Sequence, residues 1–322
     1  MRTVKTVQEA AEFSVTPERK LFSATHDEIL QGFTTDIYFV KTREILANVN
    51  RGKTKVVAEI FGRRDGIFAG EEEVKNLLKD FDLEVWSLPE GVPFSAKEVV
   101  MRISGPYDTF GVYETVILGI LASSSGWATA AHEAKKAAGD RSVLCFGARH
   151  VHPSVAPVME RAAIIGGADG ASCILGAKLA GQEPMGTVPH ALFLIVGDTL
   201  EAATAYNKLM PPESPRSMLV DTFKDEVEES LRLAAADEVG LESVRLDTPS
   251  ERGGVTPGLV QELRAKLDMA GYSHIPIFVS RGPDPENTPD MTMDIKEVDG
   301  KPTAKRGRIP GITHSPRLER IV

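Results

Sequence analysis

The feature that most constrains this sequence is a series of short apolar segments that alternate with helical segments after Arg141. Strands are predicted for SVLCFGARH, GASCIL, PMGTVPHALFLIV, SMLVDTF, SVRLDTP and IPIFVS. Between several of them, apolar residues spaced three and four apart predict helices over residues 225–238 and 258–270. Strand–loop–helix units in series indicate a parallel sheet or a (β/α) barrel, which we place at residues 140–290.

Polar residues follow the ends of these predicted strands. They are Arg149, His150, His190, Asp221, Asp247 and Ser280. In barrels and in open α/β sheets the carboxyl ends of the strands carry the functional side chains, because these ends meet at one edge. Polar residues at five successive strand ends therefore predict a binding or catalytic site.

The residues before the alternating segments predict a separate α/β domain, residues 1–139. Strands are expected over 53–61 and 98–107, and a long helix over 113–139 carries lysines before its terminating glycine. The predicted fold class is α/β, with a sandwich-like N-terminal domain and an incomplete (β/α) TIM-like barrel.

The closing segment, residues 291–322, no longer has the strand–helix alternation. Within it, EVDGKPTAK predicts a hairpin with an Asp-Gly turn, and a basic tail follows. We expect this segment to return to the N-terminal domain.

Composition limits the classes of function. The chain has 322 residues and a net charge of −9, which argues against a nucleic-acid binder, because such proteins neutralise phosphates with Lys and Arg. No apolar run approaches the roughly 20 residues that span a bilayer, and the N-terminus lacks the apolar core of a signal peptide. We therefore expect no membrane partner and a cytoplasmic protein with free thiols at Cys145 and Cys173.

Three of the polar residues indicate anion or cation chemistry. Arg149 offers a planar fork of donors that suits a carboxylate or a phosphate, although a surface salt bridge is the alternative. Asp221 and Asp247 each follow several apolar residues, where a carboxylate is desolvated and needs a partner. That partner is a metal, a cation or a sugar hydroxyl, or else a nearby Arg or a helix cap.

His150 and His152 form a rival signal, because His-x-His after a barrel strand holds zinc in metal-dependent hydrolases. Such a site needs further histidines at later strand ends. Only His190 is placed to contribute, since His274 precedes its strand. The hydrolase interpretation is therefore incomplete and remains an alternative.

Taken together, the segments resemble the nicotinate phosphoribosyltransferase family, which is related to quinolinate phosphoribosyltransferases. The matching stretches are TTDIYFVKTREIL, GPYDTFGVYETVILG, SGWATAA, FGARHVHP, GGADGAS, GTVPHA, LVDTF, VRLDTP and DIKEVDGKPTAKRGRIPG. The resemblance implies a dimeric enzyme of NAD salvage that joins nicotinate to phosphoribosyl pyrophosphate and releases pyrophosphate. It also implies Mg²⁺ and coupling to ATP through a phosphorylated histidine.

The resemblance assigns roles to individual residues. Arg149 and His150 would meet anionic groups of the substrates, Asp221 and Asp247 would hold ribose hydroxyls and Mg²⁺, and His190 would accept phosphate from ATP. The remaining substrate-binding residues implied are Tyr38 against the nicotinate ring, Ser172 at its carboxylate, and Thr187, Ser280 and Gly282. For Tyr38, a side chain on an ordinary amphipathic helix is an equal alternative.

The sequence departs from the family pattern after Ser280. Arg281 replaces the first glycine of a phosphate-binding turn, and a helix and a second phosphate loop are absent. Either the protein lacks them, which would remove half of the phosphate cradle, or the full protein carries a segment absent from this sequence. A second departure is Thr248-Pro249 after Asp247, where many relatives have Ser-Gly-Asp.

Quinolinate is the alternative substrate. Its second carboxylate demands more basic residues, and Ser172 stands where quinolinate enzymes have Arg. A chain with no phosphate loop that only binds nucleotide is the non-enzymatic alternative.

Overall fold

The structure is a computed structural model that describes residues 3–280, 291–303 and 309–322, with backbone only for 291–295. The chain forms two compact units, Met1–Pro184 with Asp284–Val322, and Met185–Pro283. The three-part division into 1–139, 140–290 and 291–322 stays a prediction. No helix in the described ranges is long and apolar enough to cross a membrane.

Helices precede, connect and cover the strands. In chain order they are α1 (Val7–Glu12), α2 (His26–Leu30), α3 (Ile37–Asn48), α4 (Glu71–Leu78), α5 (Tyr107–Phe110), α6 (Glu114–Ala138), α7 (Ala156–Ile165), α8 (Ile174–Leu179), α9 (His190–Val196), α10 (Thr199–Leu209), α11 (Glu226–Ala234) and α12 (Pro257–Met269). Short 3-10 turns occur at Gly111–Tyr113, Ala148–His150, Asp237–Val239 and Ser250–Arg252.

The strands of the described residues form four sheets. They are β1 (Lys55–Gly62), β2 (Gly66–Ile67), β3 (Glu84–Ser87), β4 (Pro93–Phe94), β5 (Val99–Pro106), β6 (Leu144–Cys145), β7 (Gly170–Ala171), β8 (Ser217–Leu219), β9 (Ser243–Leu246), β10 (Ile277–Val279), β11 (Met291–Val298), β12 (Lys301–Pro302) and β13 (Glu319–Arg320). The α/β class predicted from the alternation of strands and helices is confirmed by this mixture.

The first unit is built on a six-stranded sheet in the order β12-β11-β1-β5-β3-β13. Its pairings are antiparallel. The strands on its two sides, β12 with β11 and β13, are the last three strands in chain order. The predicted hairpin forms between β11 and β12, with positive φ angles of 46° at Asp299 and 73° at Gly300. Two consecutive positive φ angles are what a two-residue hairpin turn of this twist requires.

The long helix α6 packs against α7 in the same unit. The sequence allows this because α6 buries small residues, Ser124, Ser125, Gly126 and Ala128. A Cβ added at Gly166 would lie 2.0 Å from the backbone oxygen of Ala128, so only glycine permits this approach.

A short parallel pair, β6 with β7, follows α6. The pairing continues past the strands, because the Ser172 N–H donates to the Cys145 carbonyl over 3.1 Å. Residues 146–150 and 172–173 therefore leave the carboxyl ends of the two neighbouring strands.

The second unit contains a parallel sheet in the order β10-β9-β8. Helices α11 and α12 connect β8 to β9 and β9 to β10, and apolar residues of both pack on the sheet. Helix α11 begins after Asp225, whose carboxylate accepts from the Val227 and Glu228 N–H groups as an N-cap. Parallel order places the carboxyl ends of all three strands at one edge.

One predicted strand is wrong, and a second is correct only in its first two residues. PMGTVPHALFLIV contains the helix α9 from His190 to Val196, and residues 184–189 have no regular structure. In GASCIL only Gly170–Ala171 is a strand, and the helix α8 begins at Ile174. Both segments are short apolar runs, for which periodicity does not separate a strand from a helix.

Candidate active site

The carboxyl edge of the parallel sheet in the second unit gathers the predicted acidic residues. Asp221 follows β8 by two residues, Asp247 follows β9 directly, and Ser280 follows β10 directly. The Ser280 N–H donates to the Leu246 carbonyl over 2.9 Å, which extends the ladder to the edge. The prediction that these side chains lie at strand ends is correct for all three.

Asp221 is the least solvated of these groups. Its side chain is 1% exposed, and Oδ1 accepts no hydrogen bond from the described residues. Burial raises the pKa of this carboxyl above its ordinary value, and the nearby His190 opposes that shift only in part. A buried carboxylate oxygen without a donor is costly, so this atom is suited to receive a cation or a hydroxyl from a bound ligand.

His190 lies between the two carboxylates. Its Nε2 is 3.6 Å from Asp221 Oδ2 and 3.8 Å from Asp247 Oδ2, and its Nδ1 is 3.0 Å from Thr222 Oγ1. The residue is the first of helix α9, so the prediction that it ends a strand is wrong. Its ring nevertheless lies beside Asp221 and Asp247 at this edge of the sheet.

Arg245, which the sequence analysis did not single out, is the central cation of this edge. Its guanidinium donates to Thr187 Oγ1 over 2.6 Å, to Ser280 Oγ over 2.8 Å and to Asp247 Oδ2 over 3.1 Å. Side chains two residues apart on a strand share one face, so Arg245 in β9 lies on the same face as Asp247. An arginine between the core residues Val244 and Leu246 was the available signal.

A buried glutamate fixes the loop after β9. Glu226, 3% exposed at the start of α11, accepts a 2.8 Å hydrogen bond from Thr248 Oγ1. Arg252 lies 3.7 Å from its other oxygen. Thr248, one of the departures from the family pattern, therefore ties the chain beyond Asp247 to α11.

In the first unit, Arg149 and His150 lie on the exposed 3-10 turn that follows β6. Neither side chain makes an ion pair or a hydrogen bond to another described residue. Ser172 follows β7, and its hydroxyl donates to Glu160 Oε1 over 3.2 Å. The structure thus places these three predicted residues at the carboxyl ends of two adjacent strands.

Each of the other predicted residues has its own set of contacts. Tyr38 is exposed on α3, and its hydroxyl donates to Asp36 over 3.0 Å, which raises the pKa of the phenol. His152, half of the His-x-His signal, has Nδ1 2.6 Å from Ser154 Oγ. Gly282 lies outside the described residues.

The two carboxylates fit a hard cation. Carboxylate oxygens are the ligands that Mg²⁺ prefers, and Asp221 Oδ1 has no donor among the described residues. No group of three or more His, Cys, Asp or Glu side chains within the described ranges forms a ready-made metal site. The arrangement therefore suits Mg²⁺ that shares its ligands with a phosphorylated substrate.

Comparison with known proteins identifies the family. Residues 36–125 match the quinolinate phosphoribosyl transferase N-terminal domain and residues 127–294 its C-terminal domain. A nicotinate phosphoribosyltransferase of Mycobacterium tuberculosis is 29% identical over 225 residues, which cover 68% of this chain and 47% of that protein. That of Bacillus subtilis is 25% identical, over 82% of this chain and 61% of its own length. The chain thus spans about half of the curated relatives it matches.

Comparison with solved structures supports the same family assignment. A nicotinate-nucleotide pyrophosphorylase from Pyrococcus furiosus is 41% identical, with a TM-score of 0.86 over 91% of this chain and 82% of that one. The human nicotinic acid phosphoribosyltransferase shares the fold, with a TM-score of 0.62 at 18% identity over 86% of this chain and 77% of that one. These likenesses confirm the predicted combination of an N-terminal α/β domain and a TIM-like barrel. The chain belongs to the family of nicotinate and quinolinate phosphoribosyltransferases.

Proposed function

We propose that this protein joins nicotinate to phosphoribosyl pyrophosphate, forming nicotinate mononucleotide and pyrophosphate in a salvage step toward NAD. The observation that carries the proposal is the buried carboxylate of Asp221, with one oxygen lacking a donor, beside Asp247 and His190. The names of the relatives support the same chemistry. Asp221 and Asp247 would hold the ribose hydroxyls and the cation.

The reaction breaks the bond between ribose C1 and pyrophosphate while the nicotinate ring nitrogen attacks C1. Positive charge develops on the ribose and negative charge on the leaving group, so catalysis consists of positioning and charge stabilisation. The carboxylates at the sheet edge would face the positive ribose. The guanidinium of Arg149, which has no ion pair with another described residue, suits an anionic group of a substrate.

Mg²⁺, when bound, would neutralise the charge of the pyrophosphate group. Asp221 and Asp247 are the residues that would hold it, because their oxygens lie together at the sheet edge. Arg245 donates to Asp247 Oδ2 and fixes the orientation of that carboxylate.

His190 is the residue that we propose accepts phosphate from ATP. Its contacts support this role, because Thr222 lies at one ring nitrogen and the two carboxylates lie near the other. Transfer to His190 would place the phosphate beside Asp221 and Asp247, the residues proposed to hold Mg²⁺.

Nicotinate is the proposed acid rather than quinolinate. Ser172 is neutral, and its hydroxyl proton is donated to the buried Glu160. A second substrate carboxylate would find this neutral side chain at the position where the resemblance places Arg in quinolinate enzymes. We also propose that the protein is cytoplasmic and forms a homodimer. Size-exclusion chromatography with light scattering measures the mass of the assembly and so tests the homodimer.

The test uses the purified protein with Mg²⁺ and phosphoribosyl pyrophosphate. We expect pyrophosphate and nicotinate mononucleotide with nicotinate, and faster release when ATP is added. With quinolinate the same product requires loss of carbon dioxide, so carbon dioxide release separates the two acids. Absence of pyrophosphate release with nicotinate, with or without ATP, contradicts the proposal.

A further inference from the structure

In the first unit, the Glu160 carboxylate contacts both the Arg149–His150 turn and the segment that carries Ser172. Glu160 lies on α7 and is 0% exposed. Its Oε1 accepts from the Ala148 N–H over 3.1 Å and from the Ser172 hydroxyl over 3.2 Å, and its Oε2 accepts from the Cys173 N–H. Three donors from two separate loops therefore converge on a single side chain.

The donors have direct neighbours with predicted roles. Ala148 immediately precedes Arg149 and His150 on their 3-10 turn, and Cys173 immediately follows Ser172. We propose that Glu160 is a positioning residue, which sets the distance between the Arg149–His150 turn and the Ser172 segment. This inference rests on the proposed function of those residues, and it assigns Glu160 no contact with a substrate.

Charge and burial favour this role over simple packing. A buried carboxylate is costly unless several donors satisfy it, and an apolar side chain would fill the same space at lower cost. When ionised, Glu160 only accepts hydrogen bonds, so each of the three donors is held with its hydrogen pointing inward. Hydrogen bonds to a charged acceptor are stronger than neutral ones, which suits an element that fixes loop geometry.

Helix packing holds the carboxylate in place. A Cβ added at Gly176 would lie 3.0 Å from Glu160 Cβ and 3.2 Å from the Pro157 carbonyl, so α8 lies directly against α7. The side chain therefore has little freedom to follow a displaced loop, and the loops adopt positions set by α7.

The test compares Glu160→Gln with a matched control, Glu59→Gln. Glu59 belongs to the same unit, is 1% exposed and accepts from Arg102 and from the Thr313 N–H, but it touches none of the predicted substrate residues. In Glu160→Gln the amide –NH₂ must face at least one of the three donors. Glu160→Asp keeps the charge on a shorter side chain and serves as the conservative variant.

Amide hydrogen exchange is the readout that does not depend on activity. We expect peptides covering 146–150 and 171–175 to exchange at least about tenfold faster in Glu160→Gln, with partial recovery in Glu160→Asp and none of this change in Glu59→Gln. Unchanged exchange in both peptides overturns the proposal, and so does acceleration spread evenly over the whole chain. If Glu160→Gln does not fold, Glu160→Asp is compared with Glu59→Asp by the same criteria.

Kinetics then separate positioning from stability. In Glu160→Gln the KM for nicotinate or for phosphoribosyl pyrophosphate is expected to rise about tenfold, equivalent to about 1.4 kcal/mol, while kcat changes less than about twofold. Loss of stability without a change in KM would leave Glu160 a structural residue and refute its positioning role. If the unmodified protein has no activity, the proposed function fails, and hydrogen exchange alone decides whether Glu160 holds the two segments.

Discussion

Replacing Asp221 by asparagine is expected to make the ligand-free protein more stable and to abolish phosphoribosyl transfer. The side chain is 1% exposed, Oδ1 has no donor within the described residues, and burial raises the pKa of the carboxyl. The negative charge is therefore a cost to the folded state until a ligand is bound. An active site commonly retains such a group at the expense of stability.

The size of the effect follows from the missing hydrogen bond. A buried polar group without a partner costs about 1–3 kcal/mol, and an asparagine amide retains part of that cost. We expect a gain of about 1 kcal/mol, which corresponds to a rise in melting temperature of roughly 1.5 °C for a chain of 322 residues.

The pH dependence has a definite sign. An acid whose pKa is raised by folding binds its proton more tightly in the folded state, so its charge destabilises the fold above the folded pKa. This penalty disappears as the pH falls through the folded pKa toward the unfolded value of about 3.9. The advantage of Asp221→Asn is thus full above the folded pKa of Asp221 and shrinks toward zero in acid.

Thermal unfolding followed at several pH values measures this difference. Asp268→Asn is the control, since Asp268 is an exposed aspartate of the same unit, paired with Arg264 on α12. Adding Mg²⁺ with phosphoribosyl pyrophosphate is expected to reverse the order, because a ligand at a hundred times its Kd stabilises the unmodified protein by about 2.7 kcal/mol. Equal or lower stability of Asp221→Asn at neutral pH would refute the reasoning.

Three further predictions concern other residues of the two units. His190→Ala is expected to abolish the stimulation of transfer by ATP and to leave slow basal transfer, and equal loss of both in a coupled pyrophosphate assay would exclude the phosphohistidine role. Arg149→Ala is expected to raise the substrate KM at least about tenfold, because a charged hydrogen bond contributes about 1.5–3 kcal/mol; unchanged kinetics would make Arg149 a surface residue. Burial raises the pKa of the Cys145 thiol to about 11, so we expect negligible alkylation by iodoacetamide at pH 8 in the folded protein and rapid alkylation in urea. Rapid labelling of Cys145 itself in the folded protein, read separately from Cys173 by peptide mass spectrometry, would contradict this buried environment.

The sequence was sufficient to predict where a residue lies when its position follows from the order of strands and helices along the chain. Asp221, Asp247 and Ser280 come after apolar strands, and parallel strands joined by helices bring such ends together. The hairpin turn at Asp299-Gly300 was predictable because two positive φ angles limit the choice of residues.

Other contacts depend on three-dimensional packing. Arg245 lies within a strand, so its role required knowing which face of β9 is turned away from the core. Glu160 lies within α7, Ala148 lies on the turn before this helix, and Cys173 follows β7. No local pattern in the sequence indicates that one carboxylate accepts hydrogen bonds from both backbone N–H groups. His190 was predicted at a strand end but begins helix α9, because HALFLIV is apolar without a clear period.

The order of strands in the first sheet has a consequence for synthesis. The central strands β1, β5 and β3 lie early in the chain, whereas β11 and β13, which pair with β1 and β3, come from its last residues. At about 5–20 residues per second, a ribosome needs on the order of ten seconds or more between β5 and β11. During that interval both outer strands present unpaired backbone groups, which is the surface that recruits other chains. The nascent protein is therefore exposed to aggregation until β11 and β13 have been synthesised, and a chaperone that shields β1 and β3 would act in that interval.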